Sequence, residues 1–197
     1  MSISLKKGEK ISLSKGNDGL SKIIVGLGWD EGKKATGLFA SFKKSHHVDC
    51  DASAVILEDQ KLTNNTQIVY FKNLQHSSGA VIHLGDNLTG EGTGDDEEII
   101  VDLSKLPINY NSIVFIVNIY QAKERKQHFG MIENAFIRII DARNNKELCR
   151  YSLTDSYVDM TAMIIGEVYR EGIEWKFNAL GEGTTDAHLG QVVQRYC

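Results

Sequence analysis

The run Gly85-Asp86-Asn87-Leu88-Thr89-Gly90-Glu91-Gly92-Thr93-Gly94-Asp95-Asp96-Glu97-Glu98 constrains this chain more than any other feature, because it packs six carboxylates and four glycines with no basic residue. Two carboxylates about 5 Å apart repel by roughly 3 kcal/mol at an effective dielectric near 20. A fold carrying such a run either splays it into solvent or seats a cation among the acids. The flanks favour the cation. Ala80–Leu84 before the run and Ile99–Leu103 after it read as buried strands, so the loop is pinned at both ends. Its glycines allow turns and close carbonyl approach. Oxygen donors without Cys or His suit Ca²⁺ or Mg²⁺. The spacing is not that of an EF-hand, because Leu88 falls where the third loop position needs an oxygen, and no Gly-Lys-Ser/Thr signals a phosphate loop.

A second acidic segment, Asp49-Cys50-Asp51-Ala52-Ser53-Ala54-Val55-Ile56-Leu57, reads as a strand. Its alternation puts Asp49 and Asp51 on one face and Cys50 on the other. Two acids sharing a face near a strand start make half of a metal site. Eight carboxylates are then available: Asp49, Asp51, Asp86, Glu91, Asp95, Asp96, Glu97 and Glu98. Because one Ca²⁺ takes six to eight oxygens, counting carbonyls and waters, two neighbouring ions are expected. Asn87 and Thr89 add neutral oxygens, and Glu98 opens the next strand.

Short runs rich in β-branched and aromatic residues recur along the chain: Ile23–Val25, Gln67–Phe71, Ile113–Val117 and Ala135–Ile140. Ala162–Tyr169 and Glu174–Leu180 form a hairpin signal around Arg170-Glu171-Gly172-Ile173, with Trp175, Phe177 and Ala179 on one face. About ten such strands predict a mainly β chain, a two-sheet β-sandwich with a few short helices at Lys123–Phe129 and Ala187–Tyr196. A single proline, Pro107, and the absence of any repeat or linker predict one domain over residues 1–197.

The net charge of −4 gives no case for nucleic acid, and no apolar run approaches the span of a membrane. The N-terminus lacks a hydrophobic signal core, so the expected location is cytoplasmic. Three scattered cysteines make no disulfide framework. Cys50 and Cys149 read as buried thiols, and Cys197 as a mobile, exposed one. Lysines surround Phe39 and Phe42 in the segment Glu31–His47. It reads as a loop folded onto its own domain, with contact to a membrane surface or a partner as the alternative. His46 and His47 beside the acids suggest a mixed transition-metal site only weakly, since adjacent strand residues face opposite ways.

These residues resemble the tellurite-resistance TerD family. The resemblance runs through Gly26-Leu27-Gly28-Trp29-Asp30, Asp49-Cys50-Asp51-Ala52-Ser53 and the long glycine–acid motif. It continues through Asn134-Ala135-Phe136-Ile137-Arg138, Arg150-Tyr151-Ser152-Leu153, Gly166–Arg170 and Glu174–Phe177. It implies a β-sandwich that binds Ca²⁺ through the two acidic segments and serves tellurium resistance and general stress response, together with other proteins of that system. No catalytic activity is implied. The implied metal ligands are Asp49, Asp51, Asp86, Asn87, Thr89, Glu91, Asp95, Asp96 and Glu97. One departure stands out: the family's upstream motif opens with an acid where this chain has His47, so one ligand is missing if that acid coordinates. A metal-dependent phosphoester hydrolase built on a carboxylate-bound ion pair is the alternative, although no nucleophile or phosphate-holding base is evident.

Overall fold

The computed structural model describes residues 2–31, 47–85 and 94–197. The strands in chain order are β1 (Ile3–Leu5), β2 (Lys10–Ser12), β3 (Lys22–Glu31), β4 (Cys50–Leu57), β5 (Ile68–Val69), β6 (Val81–His83), β7 (Glu97–Asp102) and β8 (Ser112–Ile119), then helix α1 (Ala122–Arg125). After it come β9 (Ile132–Asp141), β10 (Lys146–Ser152), β11 (Ala162–Glu171), β12 (Glu174–Thr184) and helix α2 (Leu189–Val192). Two six-stranded sheets result, in the orders β1-β10-β9-β3-β7-β6 and β2-β12-β11-β8-β4-β5. All neighbours are antiparallel except β1, which runs parallel to β10.

Alternation builds the space between the sheets. In β3, Val25, Leu27 and Trp29 point inward and are buried; they meet Ala52, Ala54 and Ile56 of β4, Phe115 of β8 and Phe177 of β12 in one core. Residues with the opposite parity on β4 and β8 are buried too. Val55, Leu57, Val114 and Ile116 form a second cluster under Val192 and Val193. The C-terminal segment thus covers the outer face of the second sheet, and Leu62 N–H donates to the Tyr196 carbonyl at 2.6 Å. A strand buried on both faces reads as a continuous apolar run, which is how β8 appears over Ile113–Val117 and β4 over Ala54–Leu57.

The hairpin expected around Gly172 is present, with β11 and β12 extended to Glu171 and Thr184 and Gly172 at φ 63°. Both expected short helices form over fewer residues. Helix α1 ends where Lys126 turns left-handed at φ 55°, and α2 runs on as a 3-10 turn over Val193–Tyr196. Cys50 and Cys149 are buried, as expected. Cys197 is exposed but held: its N–H closes onto the Gln194 carbonyl at 3.3 Å.

One expected strand largely fails. Over Gln67–Phe71 only Ile68–Val69 pair as β5, preceded by a 3-10 turn at Asn65–Gln67. The Asn64 side chain accepts from Thr66 N–H, and the Gln67 side chain accepts from Asn64 N–H at 2.6 Å. This reciprocal cap favours a turn over a strand. Beyond Val69, the Tyr70–Asn73 turn removes the next residues from the ladder. The Phe39–Phe42 surface and His46 lie outside the described residues.

Antiparallel pairing brings the end of β3 and the starts of β4, β7 and β9 to one end of the sandwich. Leu27 pairs with Glu97, Gly28 with Phe136, and Cys50 with Ile119. The two acidic segments enter the sheets there.

Candidate metal centre

Three consecutive acids, Asp95, Asp96 and Glu97, leave the glycine-rich loop in three directions. Asp95 turns onto the outer face of the first sheet, where Arg138 of β9 grips it with Nε at 2.7 Å and Nη2 at 2.9 Å. Asp96 lies along the edge of β3. Its N–H donates to the Leu27 carbonyl at 2.8 Å, and its Oδ2 accepts from Trp29 N–H at 2.7 Å. Trp29 faces β7 one step beyond the last β3–β7 pair, Leu27 opposite Glu97, so Asp96 satisfies a donor that the end of this ladder leaves open. Glu97 points inward. Its Oε2 accepts from Ala52 N–H of β4 at 2.8 Å and lies 3.1 Å from His83 Nε2 of β6. One side chain therefore ties both sheets together beside the acidic loop.

Glycines make this crossing possible. A Cβ on Gly26 would lie 2.0 Å from Asp95 Oδ2, and one on Gly28 would lie 2.4 Å from the Phe136 ring and 2.9 Å from the Gly94 carbonyl. The Phe136 ring in turn carries the Arg150 guanidinium, 4.0 Å from its centroid. Glu147 accepts from Arg138, Arg150 and Ser2. Burial opposes ionisation of Glu147, but the hydrogen bonds from Arg150, Ser2 and Arg138 outweigh it and hold its carboxyl down at about 2.

The upstream acids arrive on β4. Cys50 faces the core, and Asp51, on the opposite face, accepts from Asn118 Nδ2 at 3.3 Å. Asp49 lies 3.5 Å from Arg125 Nη1 of α1. The expected alternation therefore holds for Cys50 and Asp51. The ladder of β4 begins only at Cys50, but Val48 and Cys50 both enter the core while His47 and Asp49 do not. His47 is exposed, and its carbonyl accepts from Gln127 Nε2 at 3.1 Å.

Electrostatics mark this end as overloaded with negative charge. Burial pushes the Cys50 thiol well up, and Asp51, Glu97, Asp49 and Asp96 push it further, so four of the expected ligands surround one protonated sulfur. Burial raises the Asp96 carboxyl against the bond from Trp29 N–H, and Asp30 and Asp95 add to the rise. Glu98 is raised by burial and by Asp95. Raised carboxyls and a neutral thiol suit a hard divalent cation bound through oxygen and not a thiolate-seeking metal. The residues present thus fit the expected ion type. Among the described residues, no three His, Cys, Asp or Glu side chains close on a common point. Asp86, Asn87, Thr89 and Glu91 lie outside the described residues. Of the rest, Asp49, Asp51, Asp96 and Glu97 come to the same end of the fold, while both oxygens of Asp95 face Arg138.

Asp30, His83 and Arg138 belong to this arrangement and were not singled out as site residues by sequence. Asp30 and Arg138 do fall inside two motifs of the resemblance; nothing local to His83 signals its partner fourteen residues later.

The fold and the acidic end together define a β-sandwich with a carboxylate-rich apex fed by both sheets. Comparison with known proteins agrees. The TerD domain model matches residues 1–196, and the chain belongs to that family of tellurium-resistance and stress-response proteins. It is 50% identical over 198 residues to stress response protein SCP2 of Bacillus subtilis (strain 168), covering 100% of both chains. It is 41% identical over 184 residues to tellurium resistance protein TerD of Serratia marcescens, covering 93% of this chain and 91% of that one. A solved homologue of telluride resistance protein (TerD) from Streptomyces coelicolor A3(2) shares the fold, with TM-score 0.64, 18% identity, and coverage of 91% of this chain and 99% of that one.

Proposed function

We propose that this chain is a Ca²⁺-binding module of a bacterial tellurium-resistance or general stress-response system. It acts in the cytoplasm with other proteins of that system and has no catalytic activity of its own. The observation that supports this reading is the gathering of Asp49, Asp51, Asp96 and Glu97 from two sheets around Cys50, with the Asp96 carboxyl raised by burial and then by Asp30 and Asp95. These four, with Asp86, Asn87, Thr89 and Glu91 from the adjoining loop, would hold Ca²⁺, as two ions if all eight take part. When bound, the ion supplies positive charge that relieves the repulsion among the acids. The chain's own contribution is to gather acids from β4 and β7 at one end through the Glu97 link to Ala52.

Calorimetric titration with Ca²⁺ and with Mg²⁺ tests the reading, with a phosphoesterase screen on the same sample. Saturable Ca²⁺ binding without turnover is expected. Asp51→Asn should weaken it, whereas Asp102→Asn should not, since Asp102 ends β7 at the far end of the sandwich with Ser104, Lys22 and Lys105. Equal losses at both positions would show a diffuse charge effect, absence of binding heat would remove the function, and turnover would install the hydrolase in its place.

A further inference from the structure

Resting on that reading, we infer that Arg138 is a positioning residue for the metal centre and that Asp95 is its strut: the pair pins the chain where the acidic loop rejoins β7 and so sets where Asp96 and Glu97 stand. The grip is two-pronged, through Nε and Nη2, and the Asp95 side chain is only 2% exposed. A fork matched to a carboxylate fixes direction as well as distance. Arg138 is itself anchored, because its Nη1 donates to Glu147 Oε2 at 3.2 Å. Glu147 is in turn held by Arg150, whose guanidinium lies on Phe136. Gly26 leaves room for Asp95 to lie flat against β3. The next two residues then have no freedom: Asp96 meets Trp29 N–H and Glu97 meets Ala52 N–H.

The sign of one substitution separates positioning from simple electrostatics. Arg138 carries positive charge close to a cation site. If charge were all that mattered, Arg138→Gln would tighten Ca²⁺ binding. If Arg138 positions the acids, the same change weakens it, by ~10–100-fold as for other partners that orient metal ligands. Arg138→Lys keeps the charge but loses the fork, so it should remain weakened. Asp95→Asn combined with Arg138→Gln should lose no more than the worse single variant, because one strut is broken once.

Amide hydrogen exchange in EDTA supplies the readout that needs no metal. In Arg138→Gln, protection of the Asp96 and Trp29 amides should fall, while that of Phe177 and Val168 in the opposite sheet stays at the wild-type level. Unchanged protection at Asp96 and Trp29, or a dissociation constant for Ca²⁺ that is unchanged or tighter in Arg138→Gln, overturns the positioning role. Wild-type protein that binds no Ca²⁺ while showing the expected loss of protection refutes the metal reading and leaves Arg138 a local strut only, so the two failures are distinguishable.

Discussion

Gly26→Ala is the smallest change that tests how the acidic loop is seated. The new methyl would stand 2.0 Å from Asp95 Oδ2 and 2.3 Å from its Cγ, against ordinary contacts near 3.5–4 Å. Asp95 must move by more than an ångström, and it cannot swing away without releasing both Arg138 bonds. Overpacking costs about 1–3 kcal/mol, and losing one partner of a buried ion pair costs about 3–5 kcal/mol. Here both partners survive and Arg138 is partly solvated, so about 3 kcal/mol is a reasonable gross cost, within those ranges. Alanine's smaller unfolded-state entropy offsets about 0.5–1 kcal/mol. The net loss of about 2 kcal/mol corresponds to about 4–8 °C in a chain of this size. Urea denaturation in EDTA measures it without interference from bound metal. The same substitution in an Asp95→Ala background should cost almost nothing, because the methyl then meets no carboxylate. A Gly26→Ala protein within about 0.5 kcal/mol of wild type, the usual spread for neutral surface changes, would refute the seating of Asp95 on β3, and so would a penalty that persists without Asp95.

Millimolar Ca²⁺ should raise the melting temperature over that in EDTA, since a ligand at a thousand times its dissociation constant adds about 4 kcal/mol; superimposed melting curves would count against the metal centre. Asp96→Asn should stabilise the metal-free protein at neutral pH, because the folded carboxyl is raised and its charged form disfavoured, while Asn still accepts from Trp29 N–H; the same variant should bind Ca²⁺ more weakly, and a less stable metal-free variant would contradict the charge argument. Glu147 has the opposite sign: its folded carboxyl is depressed from 4.5 to about 2, so its contribution is full above the unfolded value and is lost as pH falls from about 4.5 toward 2. The stability gap between wild type and Glu147→Gln should therefore close over that window in denaturation curves, and a constant gap would show that Glu147 acts by packing alone. Val192→Ala should cost about 2 kcal/mol of unfolding free energy in urea denaturation, on the scale of emptying a buried aliphatic site, because Val192 is fully buried over the second sheet; no loss would mean that α2 is not part of the core.

Much of this molecule is legible in local patterns, since alternation is a property of neighbouring residues. Val25, Leu27 and Trp29 against Gly26, Gly28 and Asp30 declare one strand and its two faces. Trp175, Phe177 and Ala179 declare another, and Gly172 marks the turn between β11 and β12. The density of acids from Asp86 to Glu98 declares a charge problem before any fold is known. Local pattern misled at Gln67–Phe71, where a capping interaction between Asn64 and Gln67 competes with β propensity.

What only the tertiary structure decided is the division of labour among the acids. Asp95, Asp96 and Glu97 are adjacent and chemically alike, and no periodicity assigns one to Arg138, the next to the Trp29 amide and the third to Ala52 and His83. Those roles depend on which strands lie beside β7, and strand order is a long-range outcome of burying two sheets against each other. Arg138 is 43 residues from Asp95, and Ala52 is 45 residues from Glu97. Sequence determined that this chain forms a sandwich and must accommodate a concentrated negative charge. Packing determined where each charge goes, because a carboxylate's function follows from the donors within about 3 Å of it, and those donors come from elsewhere in the chain.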